Sequence, residues 1–209
     1  MKAIVREGLE AGRMVLSHMP VPQFAQNEAL VRVKSVGVCG TDYHMFTGHQ
    51  LTDIPVVVGH EFSGVVEQVG AAVTNVKPGD RVVSRLNLGV CGVCRACLTG
   101  NPHMCEHRTC PGFKLDGAFA EYIRMEARML VTLPESISFD EAAVAEPTAI
   151  VTHALLQRAK VEPEDIVVVF GPGPIGLIAL QLAKLAGAAK VYVVGTDTDI
   201  PMRLPLAPN

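Results

Sequence analysis

Five consecutive apolar residues, Ile166 to Phe170, run straight into Gly171-Pro172-Gly173-Pro174-Ile175-Gly176. An unbroken apolar run of this length predicts a parallel strand buried on both faces. The glycines predict a tight turn into a helix, and Pro174 fits the first helical position, where its missing N–H would have had no partner. The helix pattern reaches about Ala186, with Ile175, Ile178, Leu182 and Leu185 expected on one face. Gly187 then stops it, and Val191 to Val194 reads as a second strand. Strand, G-x-G-x-x-G turn, helix and strand in that order open a dinucleotide-binding βαβ unit. Gly171 permits the turn, Gly173 admits a pyrophosphate against bare backbone, and Gly176 lets helix and strand pack closely. The helix N-terminus at Pro174 and Ile175 offers N–H groups to phosphate. The rival is a tight βα turn in an α/β protein that binds no nucleotide.

The second strand ends in Val194-Gly195-Thr196-Asp197. A dinucleotide site normally carries an acidic residue there for the ribose hydroxyls. Asp197, with Thr196 beside it, is the candidate and favours NAD over NADP, although Gly195 holds the usual acidic position and leaves room for a 2′-phosphate.

The rest of the chain has a different grammar. From Met1 to about Val131, short alternating segments are broken by Gly and Pro: Lys2 to Val5, Val31 to Lys34, Gly64 to Val69, and Arg81 to Val83 after a Lys77-Pro78-Gly79-Asp80 turn. These predict antiparallel strands in a barrel or sandwich. After Leu133-Pro134 the pattern turns helical, with Ser138 as N-cap and a further helix over about Thr148 to Ala159. The expected fold is mixed α/β: a β-barrel domain over 1–153 followed by an incomplete parallel βαβ domain over 154–209.

Cys91, Cys94, Cys97 and Cys105 stand at gaps of two, two and seven residues. Short gaps let four thiolates converge on one soft or borderline cation, and four-cysteine tetrahedral coordination is that of a closed, structural zinc site. Disulfides would suit an oxidising compartment, but the first residues lack a signal-peptide core, so a cytoplasmic chain with reduced thiols is expected. An iron–sulfur run would close with a three-residue gap, where this one has seven.

A second constellation is sparser. Cys39-Gly-Thr-Asp42-Tyr-His44 follows a strand, and Gly59-His60-Glu61 comes some twenty residues later. A cysteine, a histidine and a carboxylate from separate loops can hold zinc and leave one position open. Taken singly, each is bland: free cysteine is commonly core, and a lone histidine is commonly a surface residue. The 209 residues carry a net charge of -3 and are 49% hydrophobic, enough to bury a core of their own. No two basic residues adjoin and no apolar stretch approaches ~20 residues, which argues against nucleic-acid and membrane partners.

Gly59-His60-Glu61, the Gly79-Asp80-Arg81-Val82 turn, the four-cysteine lobe, Gly117-Ala-Phe-Ala-Glu121-Tyr122 and the glycine-rich turn occur in the order seen in zinc-dependent medium-chain alcohol and polyol dehydrogenases. Ala145-Glu146-Pro147 resembles the sorbitol dehydrogenase branch of that family, within a wider sorbitol and threonine dehydrogenase-like group. The resemblance spans essentially the whole chain. It implies a GroES-like catalytic domain, a Rossmann-type domain and two zinc ions, one catalytic and one structural. Cys39 and His60 become catalytic ligands, with Glu61 or Glu146 as the carboxylate. Asp42 would orient His60, while Thr41 and His44 resemble the proton relay. Tyr43, Phe46 and Phe113 become candidates for the pocket wall, and His49, His103 and His107 match no ligand position.

The implied activity is hydride transfer from a secondary alcohol or polyol to NAD(P), with zinc polarising the alcohol oxygen. Two alternatives stand beside it: a catalytically inactive zinc-binding fragment of such an enzyme, and an assembly module built on the β lobe alone. The chain stops where family members continue their sheet, so weak dinucleotide binding and exposed apolar surface are expected. Homo-oligomers are usual in the family, but they assemble largely through the lobe that is incomplete here.

Overall fold

Among the described residues, eight antiparallel strands build the first of two units, which extends from Met1 to Ala145. They are β1 (Lys2–Arg6), β2 (Met14–His18), β3 (Glu28–Gly37), β4 (Val56–Val57), β5 (Glu61–Val69), β6 (Arg81–Ser84), β7 (Tyr122–Glu126) and β8 (Leu130–Thr132). The computed structural model describes residues 1–50 and 52–207. One sheet has the order β2-β1-β4 and the other β7-β3-β5-β6-β8, and a bridge between Ala3 and Ala120 ties them together. Each predicted strand in this region is present. The larger sheet packs its inner face over Val31, Val66, Val82, Ile123 and Met125, all buried, which is the one-side-wet pattern that alternation predicts.

Three short helices interrupt the strands: α1 (Gly40–Phe46), α2 (Arg95–Leu98) and α3 (Phe139–Ala143). Ser138 caps α3 as expected, through a reciprocal capping box with Glu141. Arg81 holds the segment before α3, donating to the carbonyls of Pro134, Glu135 and Ile137 and lying 4.5 Å over the Phe139 ring. Arg6 is fully buried. Its guanidinium donates to the carbonyls of Gly8, Leu9 and Gln50 and to Thr52 Oγ1, pinning two loops to β1.

From Glu146 onward lies the second unit. Helix α4 (Ala145–Thr152) continues through a π-helical turn, His153–Ala159, which Lys160 ends in the left-handed conformation. The predicted helix over 148–159 is therefore present and starts earlier. Strand β9 (Ile166–Phe170), helix α5 (Pro174–Leu185) and strand β10 (Lys190–Val194) follow, with β9 and β10 in parallel register from Ile166–Lys190 to Phe170–Val194. The division falls at Ala145/Glu146, not at the 153/154 read from sequence. Helix α4 runs on without a break into the 153–159 turn, which packs on α5, so α4 goes with the second unit; a change from strand to helix pattern carries no information about such packing.

The apolar surface expected on β9 is there: Val167 and Val169 are half-buried, whereas Ile166 and Phe170 are 66% and 81% exposed. One expectation is corrected. The inward face of α5 consists of Gly176, Ala179, Leu180 and Ala183, while Ile175 and Leu185 point outward. At its start the helix lies close on the turn: a Cβ on Gly176 would stand 1.9 Å from the Gly171 carbonyl oxygen, so that position takes only glycine, and Leu180 is the one large side chain buried on this face among the described residues. Of the Pro-rich tail, Pro208 and Asn209 lie outside the described residues.

Candidate metal centres

Cys39 is the N-cap of α1 and Cys94 the N-cap of α2, so each thiol meets the partial positive charge of a helix start. Around Cys39, β3 ends at Gly37 and α1 begins at Gly40, while β5 starts at Glu61 directly after His60. Glu61 therefore belongs to a strand and not to a loop. The pairing of β3 with β5 sets Gly37 opposite Glu61. A Cβ on Gly37 would stand 2.5 Å from Glu61 Oε2, so only a glycine lets that carboxylate lie across the strand end. Sequence reading passed over Gly37; its one signal is a glycine closing an otherwise regular strand.

Cys39 Sγ, a His60 ring nitrogen and a Glu61 carboxylate oxygen all lie within 4.8 Å of one another. His60 and Glu61 are buried and Cys39 is half-buried. A hydrogen bond with His60 holds the Cys39 thiol below its usual pKa, against the opposing effect of burial. Burial pushes the Glu61 and Asp42 carboxyls up. Asp42 accepts the Cys39 backbone N–H at 2.9 Å through one oxygen, and its other oxygen lies 3.9 Å from His60 Nδ1. The carboxylate thus stands behind the imidazole, the arrangement that orients a ligating histidine. A mixed S, N and O donor set with three members matches a tetrahedral zinc site with one open position.

Thr41 Oγ1 is 3.5 Å from Cys39 Sγ, whereas His44 is exposed on the last turn of α1, its ring 6.5 Å from that of His49. Tyr43 and Phe46 are exposed. Phe113 is half-buried among Met45, Val56 and Val58, with its ring 5.5 Å from that of His60. Glu146 does not belong to this cluster of three donors; it stands in the first turn of α4 and opens the second unit.

The thiols of Cys91, Cys94, Cys97 and Cys105 also lie within 4.8 Å of one another. Cys91 Sγ is 4.0 Å from that of Cys97 and 3.7 Å from that of Cys105. Four sulfurs at about 2.3 Å from a tetrahedral zinc stand about 3.8 Å apart, so the geometry fits the ion. Backbone N–H groups of Val93 and Cys94 draw Cys91 down to about 6, while Cys97 is pushed up to about 12 by desolvation first and then by its neighbouring thiols. Crowded thiols that resist joint ionisation are what a bound cation would resolve. His103 and His107 are exposed and join neither cluster of the described residues.

In the second unit, Gly171 has φ +96 and both it and Gly173 have open space where a Cβ would be. Gly173 is the N-cap of α5, with Pro174 and Ile175 in its first turn. Asp199 accepts from the Thr196 N–H and hydroxyl and pairs with Arg203, while Asp197 is exposed in the short turn after β10.

Residues 25–135 match the model of the alcohol dehydrogenase GroES-like domain. Among curated proteins, the chain is 38% identical over 199 residues to sorbitol dehydrogenase of Halalkalibacterium halodurans, covering 95% of this chain and 57% of the relative. Against D-arabitol-phosphate dehydrogenase of Enterococcus avium it is 39% identical, covering 95% of this chain and 56% of the relative. A solved structure, the cobalt- and zinc-bound thermostable alcohol dehydrogenase of Pyrobaculum aerophilum, superposes with a TM-score of 0.85 at 34% identity, covering 99% of this chain and 62% of that one. The chain thus spans little more than half the length of the curated relatives it matches. It belongs to the zinc-dependent medium-chain alcohol and polyol dehydrogenase family, with the GroES-like fold in its first unit.

Proposed function

We propose that the chain carries the zinc-binding catalytic lobe of an oxidoreductase that transfers a hydride from a secondary alcohol or polyol to NAD(P). The convergence of Cys39, His60 and Glu61 is the observation that carries this reading. In it, Cys39, His60 and Glu61 hold the catalytic zinc, and Glu146 is the alternative carboxylate. Bound zinc supplies Lewis acidity at the alcohol oxygen. Asp42 keeps His60 in its ligating orientation. Thr41 holds the proton of the substrate hydroxyl, and exposed His44 passes it to solvent. Cys91, Cys94, Cys97 and Cys105 hold a second, closed zinc that maintains the lobe. Gly171, Gly173, Pro174, Ile175 and Gly176 form the pyrophosphate turn. NAD is the favoured cofactor, since Asp197 presents an exposed carboxylate at the end of β10 whereas Asp199 is engaged by Thr196 and Arg203. The setting proposed is the cytoplasm, where thiols stay reduced.

A second reading is a zinc-binding chain without turnover of its own. The exposed apolar residues of β9 favour it, because a dinucleotide site needs a sheet on which both halves are in place. Metal quantitation paired with NADH and NADPH titration separates the two. Two zincs with dinucleotide binding support the enzyme, two zincs without it support the second reading, and one zinc removes the catalytic site. In the enzyme reading, Cys39→Ser abolishes turnover while the four-thiolate zinc stays bound; full activity in that variant would refute the assignment. An assembly module would lack the open site and bind a single zinc.

A further inference from the structure

Residues 109–119 leave the four-thiolate lobe and run alongside residues 57–60, the segment that delivers His60. Main-chain hydrogen bonds join the two at the end of the segment: Gly117 N–H donates to the Val57 carbonyl at 2.7 Å, Ala118 to Gly59 at 2.8 Å and Phe119 to Val58 at 2.9 Å. Asp116 accepts the Val57 N–H through its carboxylate at 2.9 Å. The fit depends on glycine. A Cβ on Gly117 would stand 2.2 Å from the Gly59 carbonyl oxygen, and one on Gly112 would stand 2.9 Å from the Gly59 nitrogen. Between them, Phe113 lays its ring against the imidazole of His60.

The other end of the same segment is fixed to the cysteines. Thr109 N–H donates to the Leu88 carbonyl at 2.8 Å, and the pair forms an isolated β-bridge. Arg108 N–H donates to the Cys105 carbonyl at 3.1 Å, and the Cys91 N–H donates to Cys105 Sγ at 3.4 Å. Cys105 is the buried member of its cluster. Whatever fixes Cys105 therefore fixes the start of a strap that ends on Val58 and lays Phe113 against His60.

We propose that residues 109–119 couple the two donor clusters, so that filling the four-thiolate site raises metal affinity at Cys39, His60 and Glu61, with Gly112, Asp116 and Gly117 as positioning residues. The proposal rests on the reading that those three donors hold a metal. An anchored strap confines the 57–60 backbone and the His60 ring before a metal arrives. A slack one leaves the ordering entropy to be supplied by metal binding itself. The coupling is reciprocal, because each site changes the affinity of the other by the same factor.

Cobalt(II) is the probe, titrated against a chromophoric chelator into the metal-free full chain. The three-donor site is read as the part of the absorption that Cys39→Ser removes, and far-UV circular dichroism reports the fold of each variant. Cys97→Ser empties the four-thiolate site, and we expect it to weaken cobalt binding at the three-donor site about tenfold, within the range of coupled sites. Asp116→Ala keeps all four thiolates, and we expect a loss of about tenfold at the three-donor site alone, as for other groups that orient ligands. Should Cys97→Ser fail to fold, Asp116→Ala and Phe113→Leu still decide the matter. Three-donor affinity that is unchanged in folded Asp116→Ala and Phe113→Leu overturns the strap and leaves the proposed catalytic site standing. Absence of any Cys39-dependent cobalt signal in the parent chain overturns both.

Discussion

In the first unit apolar residues face one another, whereas in the second many face outward. Val31, Val66, Val82 and Ile123 sit at or below 2% exposure between strands of a five-stranded sheet. On β9, Ile166, Val168 and Phe170 are exposed while Val167 and Val169 turn toward cover. Both units are rich in Val and Ile, so composition does not separate them. The difference lies in coverage: an antiparallel sheet needs one packed face, and a parallel sheet needs two. The first unit carries what closes its core. The second leaves Ile166, Val168 and Phe170 exposed on one strand.

The largest test of this contrast is removal of metal. With free zinc about a thousandfold above its dissociation constant, the four-thiolate site adds about 4 kcal/mol to the fold that binds it. Chelation is expected to lower the unfolding midpoint of the first unit and leave that of the second in place, read as two transitions by differential scanning calorimetry. A single merged transition that moves as a whole would dissolve the distinction between the units.

Arg6→Met comes next. It strands four buried or half-buried acceptor oxygens around β1, and a loss of about 3 kcal/mol is expected from the first unit in urea. Gly176→Ala probes the other side. The added methyl meets the Gly171 carbonyl oxygen, and about 2 kcal/mol of overpacking should fall on the second unit alone. Equal sensitivity of both transitions to either change would again break the comparison.

The smallest effect is in acid. Hydrogen bonds from Lys77 hold the Asp80 carboxyl below its ordinary 3.8, and those from Thr196 do the same for Asp199. A carboxyl depressed in the folded state stabilises the fold above its unfolded value and loses that contribution as pH falls through its folded value. Asp80→Asn should therefore flatten the acid limb of the first transition below about pH 4, and Asp199→Asn that of the second, both followed by circular dichroism. An acid limb that is unchanged in both variants would assign the acid sensitivity to other groups.

Much of the fold was legible because its signals are local. The Ser138 capping box, the strand at Ile166 to Phe170 and the turn at Gly171 to Gly176 each reside in a few adjacent residues. The four cysteines were legible for the same reason, since short gaps permit convergence whatever surrounds them. The inward face of α5 was misread because side-chain size predicts burial only where helix and strand keep an ordinary separation. At Gly176 the helix start meets the Gly171 carbonyl of the turn, where no side chain fits. Gly37 and Asp116 escaped notice, and Gly117 was read only as part of a motif, because each acts on a residue distant in sequence.

By itself, the sequence determined which chemical groups are present: thiols spaced for a closed metal site, a strand–glycine turn–helix, and a thiol, an imidazole and a carboxylate at Cys39, His60 and Glu61. Only the tertiary structure decided that those three donors meet within 4.8 Å, that Glu61 lies across the end of β3 opposite Gly37, and that residues 109–119 join one cluster to the other. The physical reason is that donor identity is a property of single side chains. Convergence depends on strand register and on how closely two backbones approach, and both are settled only when distant segments pack.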